Sequence, residues 1–287
     1  MNKPTIIITG ANGFIGEYLV NSFFRKGWKV KALVHSVPKN RLEGVEYIEY
    51  DLEKSPNAND FTSVDYLVHG AYLRFENNKN ANEINLRGTK ILIGLCRKNN
   101  IKSLFISSFS AHKDAVSHYG KTKMECEKAF DLSKDIVLRP GLVIGNKGLA
   151  SEIIGRIKRS NLFPLIGGGS QPIQTIYIED LYLVIESALE KNICGLFHVA
   201  ETEAITMKMF YQEIASLLNK KIIFIPFPLS FLFFICKISE AIGAKLPVSS
   251  ESVLGLKHLI KFDTKNDLNK FGITLKNHRE SLIEVLK

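Results

Sequence analysis

Thr9–Gly16 reads TGANGFIG: the β-branched run Thr5–Thr9 passes into three glycines spaced by threes, and FIGEYLVNSFFRKG follows with Ile15, Leu19 and Phe23 at helical spacing. Gly27 would end that helix. A strand that turns directly into a helix presents the helix's first amides above the sheet, and those amides, with the macrodipole, attract phosphate. Gly10 permits the turn, Gly13 lets a pyrophosphate touch the backbone, and Gly16 lets helix and strand pack closely. A strand before and a helix after make this a dinucleotide site and not a bare glycine turn.

Working outward, Lys29–Val34, Val45–Tyr50 and Val64–His69 read as further strands, a helix covers 80–98, and KSLFIS is a fifth strand ending at Ser107 and Ser108. A helix over 117–132 and the strand DIVLRP, stopped by Pro140, complete an alternation that predicts an α/β, Rossmann-like, doubly wound parallel sheet. Beyond Pro140 the pattern loosens into a helix over 151–160, a loop at Gly167–Gly169, the strand IQTIYI, a helix from Asp180 and the strand GLFHVA. From Thr202 the chain reads as helices with one strand. The expected organisation is a dinucleotide-binding domain over 1–165, to which 170–200 returns. A smaller, mostly helical substrate-binding annex takes 201–287 with part of 140–170.

The chain has 287 residues, 45% apolar and 23% charged, which suits a globular enzyme. Its 38 Lys and Arg against 29 Asp and Glu give a net charge of +9, scattered and not gathered into a block. That balance favours a polyanionic small molecule or a negative surface over nucleic acid, or else is a plain solvated surface. Cys96, Cys126, Cys194 and Cys236 lie far apart with no metal-ligand spacing, so neither a metal nor a disulfide framework is expected. The first residues lack a signal peptide's pattern, and the protein is expected in the cytoplasm. The most apolar stretch, IIFIPFPLSFLFFICKI at Ile222–Ile238, is broken by Pro226 and Pro228 and falls short of the ~18 residues a membrane span needs. It predicts a strand, a proline turn and a buried core or interface helix from about Ser230, with membrane-surface contact as the alternative.

YGKTK, Tyr119–Lys123, sets a phenol and an ammonium four residues apart, on one face of a helix. Two unit charges ~4 Å apart at an effective dielectric near 20 interact by ~4 kcal/mol, enough to carry a tyrosine toward neutrality, where a general acid/base works. The tyrosine could then take a proton from a substrate hydroxyl as hydride leaves the same carbon.

With TGANGFIG, YGKTK and FISSFSAH together, the chain resembles the extended short-chain dehydrogenase/reductase, or NAD-dependent epimerase/dehydratase, family, whose usual opening is TGxxGFIG. Asn85–Thr89 (NLRGT) resembles its NxxGT helix and LRPG its RPxxVYG strand, with Ile144 in place of the tyrosine; IYIEDL resembles a later segment ending in aspartate. The resemblance implies a catalytic set of Ser108, Tyr119 and Lys123, with Ser110 as the alternative hydroxyl. It implies dinucleotide contacts at Gly10, Asn12, Gly13, Phe14, Ile15, Gly16, His35, Lys39, Arg41, Asp51, Leu52, Ala71, Asn85, Tyr119, Lys123 and Pro140. Where an NAD-preferring chain would place an acid after the second strand, ALVHSVPKNR has His35 and Ser36 with Lys39 and Arg41 beyond, which favours NADP over NAD. Asp51-Leu52 matches the family's Asp-apolar pair at the adenine, with a strand-end Asx turn as the alternative use of Asp51.

The family's sugar dehydratases place Asp-Glu after the catalytic residue; Phe109-Ser110 stands here, so a 4,6-dehydratase is disfavoured. The resemblance therefore implies an epimerase or keto-reductase acting on a nucleotide-linked sugar, working as a homodimer. Arg74, Ser110, His112 and Lys147 are substrate candidates, with Arg156 a further phosphate candidate. His112 and His118 read first as solvated loop histidines. The same parts could serve a 3β-hydroxysteroid-type or other alcohol dehydrogenase with a lipophilic substrate, or a non-catalytic dinucleotide sensor.

Overall fold

A computed structural model describes residues 3–74, 78–243 and 249–287. The chain forms two compact units: Met1–Ser108 with Thr122–Arg139 and Tyr182–Phe197, and Phe109–Lys121 with Pro140–Leu181 and His198–Lys287.

The first unit is built on β1 (Thr5–Thr9), α1 (Phe14–Arg25), β2 (Lys29–Val34), β3 (Glu46–Glu49), β4 (Tyr66–His69), α2 (Ala81–Lys98), β5 (Lys102–Ile106), most of α3 (His118–Glu127) and most of β6 (Ile136–Pro140). The seven-stranded sheet has the order β11-β6-β5-β4-β1-β2-β3, where β11 is Gly195–Val199. Pairing is parallel, with Ile7 opposite Lys31 of β2 and Leu67 of β4. The order reverses beside β1, which places the glycine turn at the switch point where doubly wound sheets bind ligands. Ile6, Ile7 and Ile8 have no exposed surface, because a central parallel strand is covered on both faces. Ile7, Leu33, Phe61, Leu67, Leu92 and Phe105 belong to one core.

The expected helix over 117–132 ends early. After Glu127 the backbone amides of Lys128, Ala129 and Phe130 bond three residues back, and Asp131 opens a turn by accepting from Ser133. The strand expected at IQTIYI is two strands, because Gln174 turns aside: its side chain holds both the amide and the carbonyl of Phe262 and the carbonyl of Glu201.

The second unit contains β7 (Leu142–Ile144), α4 (Gly148–Arg159), β8 (Leu162–Ile166), β9 (Pro172–Ile173), β10 (Thr175–Tyr177) and the start of α5 (Ile178–Glu190). After β11 it continues through β12 (Ile205–Thr206), α6 (Met207–Leu217), β13 (Ile223–Phe227), α7 (Leu229–Ala241), α8 (Ser250–Lys257), α9 (Lys265–Phe271) and α10 (His278–Leu286). Among the described residues it has three two-stranded sheets, β10-β7, β12-β9 and β13-β8, and a core that includes Ile153, Ile157, Phe163, Phe210, Ile214 and Leu282. β8 was hidden in the sequence by Pro164, a residue that suits only an edge position. The expected buried helix after Ser230 is α7, but the structure overturns its burial: only Cys236 and Ser239 are buried along it, and Phe231, Phe234 and Ile238 are exposed. The helix has one covered side, so its other apolar side chains face solvent. Among the described residues no helix is long and apolar enough to cross a membrane.

Candidate active site

The three glycines of the opening turn do different things. A Cβ on Gly16 would stand 2.2 Å from the Gly10 carbonyl oxygen, and one on Gly10, whose φ is +69°, would stand 2.8 Å from the Ala71 amide nitrogen. Both are demanded by the protein's own close packing. Gly13 is exposed and would meet only the Gly10 oxygen, at 3.1 Å, so its missing side chain opens outward. Gly13 is also the N-cap of α1, which has no side-chain cap. This is the cradle that a pyrophosphate fits: exposed backbone at an uncapped helix start, with a Cβ removed where a ligand would approach.

Asn12 ties the cradle to the loop after β2 by donating to the Ser36 carbonyl at 2.6 Å. His35, Lys39 and Arg41 are exposed on that loop, and no carboxylate ends β2. Asp51 accepts from the Glu53 amide at 3.0 Å, so the Asx-turn use of this residue is present in the structure. Leu52 is buried and explains the glycine of NLRGT, because a Cβ on Gly88 would come within 2.8 Å of its carbonyl oxygen. Asn85 clamps the backbone beyond β4, accepting from Leu73 N and donating to Leu73 O, both at 2.8 Å. Phe14 and Ile15 open α1, half-buried, and Pro140 closes β6.

A buried polar chain lies beneath the turn that the sequence reading did not see. His69 Nδ1 pairs with the Thr9 hydroxyl at 2.7 Å and Nε2 with the Thr89 hydroxyl at 3.0 Å. The Thr9 hydroxyl also accepts from the amides of Gly70 and Ala71. Burial, aided by the Lys123 charge, lowers His69 to about 3, so the imidazole is neutral and acts as a strut. Thr9 and Thr89 both stand in quoted motifs; their meeting through His69 required the pairing of β1 with β4 and so could not be read from spacing.

Tyr119 and Lys123 lie on successive turns of one helix, α3. Tyr119 is 38% exposed, whereas Lys123 is 3% exposed and donates to the Ile106 carbonyl at the end of β5 at 2.8 Å. Its ammonium also lies 4.6 Å from the Phe105 ring centroid and 4.9 Å from that of Tyr72. Burial lowers the Lys123 ammonium to about 8, against the smaller opposing pull of Cys126 and Glu127. Gly120, between the two, is required by contact: a Cβ there would lie 2.2 Å from the Ser110 carbonyl oxygen.

The serine pair separates cleanly. The Ser107 hydroxyl is buried and donates to Glu127 at 2.5 Å, and Glu127 is held by Arg139 through Nε at 2.8 Å and Nη2 at 2.6 Å. Ser108, half-buried, is the next hydroxyl along the chain. Glu127 carried no sequence signal, since a lone glutamate late in a helix is ordinarily solvated.

Among the substrate candidates, Ser110 and His112 share a small cleft with Ser117, Leu254, His258 and Leu259. The expectation of a solvated His112 is overturned: it is buried, and its Nε2 donates to the His258 carbonyl at 3.1 Å, because α8 and the residue after it cover the loop. His118 is exposed as expected, with its amide on Glu251. Arg74 and Lys147 are exposed, Lys147 immediately ahead of α4.

Residues 6–195 match the model of the NAD dependent epimerase/dehydratase family. The chain is 21% identical to the sterol-4-alpha-carboxylate 3-dehydrogenase, decarboxylating, of Dictyostelium discoideum, over 72% of this chain and 74% of that protein. It is 25% identical to the ceramide reductase of Caulobacter vibrioides, over 69% of this chain and 65% of that one. Among solved structures, MoeE5 in complex with UDP-glucuronic acid and NAD aligns over 97% of this chain and 96% of that chain, with a TM-score of 0.76 at 19% identity.

Proposed function

Because the chain belongs to the NAD-dependent epimerase/dehydratase family, with residues 6–195 matching it, we propose that it interconverts a secondary alcohol and a ketone on a lipophilic substrate. The observation that carries this reading is α3: a half-exposed phenol at Tyr119 with a buried, anchored ammonium one turn later at Lys123. When bound, the nicotinamide supplies or accepts the hydride. Gly13 and the start of α1 would hold its pyrophosphate, and Lys39 and Arg41, with no acid at the end of β2, favour the 2′-phosphate of NADP.

In the reducing direction Tyr119 donates its proton to the substrate oxygen as the carbonyl carbon gains hydride, and in the oxidising direction it takes that proton back. Lys123 contributes a fixed positive charge that stabilises the phenolate left on Tyr119. Ser108 orients the same oxygen, its neighbour Ser107 being committed to Glu127. The lipophilic class is supported by two relatives, the sterol-carboxylate dehydrogenase and the ceramide reductase, whose names describe net hydride transfer on lipids. A nucleotide-linked sugar is the second reading, favoured by the net charge of +9 and by the UDP-sugar complex of MoeE5.

The test is turnover of long-chain and sterol-like ketones against nucleotide sugars, with NADPH and NADH, following cofactor absorbance together with product. Net oxidation of NADPH by lipophilic ketones is expected. Tyr119→Phe should lower kcat by at least about a hundredfold, with cofactor affinity retained. Full turnover by that variant, or epimerised sugar without net cofactor change, would overturn the reading.

A further inference from the structure

β8 and β13 form a two-stranded parallel ribbon in which Leu162 stands opposite Ile223, Phe163 opposite Phe224 and Pro164 opposite Ile225. One face enters the core of the second unit through Phe163 and Leu165. The other face should be polar in a solvated ribbon, yet it consists of Leu162, Pro164, Ile223 and Ile225, with Leu162 55% and Ile223 62% exposed. The chain continues from this ribbon into α7, where the Phe227 and Phe231 rings lie 5.9 Å apart. Along α7, Phe231, Phe234 and Ile238 recur at helical spacing, Phe231 53% and Phe234 60% exposed. Single exposed apolar residues are ordinary; a row on a ribbon followed by a stripe on its adjoining helix marks a binding surface.

The charges bordering the ribbon are mainly positive. Residues 153–166 and 214–239 carry Arg156, Lys158, Arg159, Lys220, Lys221 and Lys237, and the acids adjoining them are Glu152, Glu213 and, near the end of α7, Glu240, which pairs with Lys237 at 3.8 Å. Because the strands are parallel, Lys158 and Arg159 ahead of β8 and Lys220 and Lys221 ahead of β13 gather at the same end of the ribbon. Lys220 fixes that end by donating to the carbonyls of Ile157 at 3.0 Å and Lys158 at 2.7 Å.

We infer that the β8–β13–α7 face docks on an anionic lipid bilayer, with Phe231, Phe234 and Ile223 entering the headgroup boundary and the flanking cations meeting lipid phosphates. Apolar side chains bordered by lysines, on elements too short to span, are what an interfacial contact requires. A second copy meeting this face across a two-fold axis would set the same cations against themselves, which disfavours self-association. The inference concerns binding and is independent of which substrate is turned over.

The test is flotation of the full chain with vesicles of phosphatidylcholine containing phosphatidylglycerol, and with phosphatidylcholine alone. Wild type should float with the anionic vesicles and be released by salt. The double variant F231S/F234S should lose on the order of tenfold or more in partitioning, and K158Q/K221Q about fivefold per cation removed, with thermal melts unchanged because all four side chains are exposed. No flotation of wild type with anionic vesicles, or undiminished flotation of F231S/F234S, would overturn the inference. So would a wild-type dimer in sedimentation that F231S/F234S converts to monomer.

Discussion

β1 and β13 are both five-residue, isoleucine-bearing strands, TIIIT and IFIPF, and the structure uses them in opposite ways. Ile6, Ile7 and Ile8 are wholly buried, whereas Ile223 and Ile225 are 62% and 43% exposed. The cause is topology. β1 has β2 and β4 as neighbours and layers on both faces, while among the described residues β13 pairs with β8 alone and is covered on one face. Hydrophobicity measures what a strand can bury; the number of its neighbours decides what it does bury.

The sharpest way to break this comparison is to truncate the buried member. Ile7→Ala removes three carbons from the first unit's core, where Phe61, Leu67 and Phe105 surround the same cluster, and should cost about 2–5 kcal/mol of unfolding free energy. Urea denaturation reads this directly, and a loss below about 1 kcal/mol would mean that the sheet can collapse around the gap.

A second, smaller effect is electrostatic and depends on the same dry interior. Lys123 releases its proton near pH 8 in the folded chain, against an ordinary value of 10.5. Between those values the unfolded chain holds a proton that the folded chain has lost, so this residue makes stability rise with pH across the window. The contribution is at most about 3 kcal/mol, fully expressed above pH 10.5 and absent below about 8. Lys123→Met should therefore flatten the melting temperature measured against pH between 8 and 10.5, relative to wild type. An unchanged slope would show that the ammonium is better solvated than its burial indicates.

What could be read in the residues follows the same division. The glycine turn was legible through its local constraints, the positive φ of Gly10 and the Gly10 carbonyl that fixes Gly16 six residues on; the close approach of Ala71 to Gly10 comes from strand pairing and was not. β1, β4, β5 and β6 were legible because interior parallel strands are largely apolar and bounded by turns, and the edge strand β3 because EYIE alternates. The burial of α7 was misjudged because an apolar run does not state how many partners it has. His112 was misplaced because its cover, residues of α8 and just beyond it, comes from more than a hundred positions later. The Thr9–His69–Thr89 strut and the Ser107–Glu127–Arg139 set are joined by strand pairing or helix return, so no local spacing announces them. That Tyr119 and Lys123 share one side of α3, the placement on which the proposed catalytic role rests, was visible because four residues on a helix is itself a geometric statement.

The smallest effect is expected at Ile223, and it completes the comparison because the substitution is chemically the same as at Ile7. Ile223→Ala removes the same three carbons from a side chain 62% exposed, whose partner across the ribbon, Leu162, is 55% exposed. Little surface returns to water and no closed cavity forms, so unfolding free energy should move by no more than about 0.5 kcal/mol. A side chain that contributes so little to folding yet presents apolar area to solvent is a candidate for a role outside folding, and measurement on vesicles separates the two. If Ile223→Ala leaves urea denaturation unchanged while lowering flotation with anionic vesicles, β13 is apolar for the sake of its outer surface. If it destabilises the chain as Ile7→Ala does, then Ile223 is packed in solution, and the contrast between the two strands dissolves.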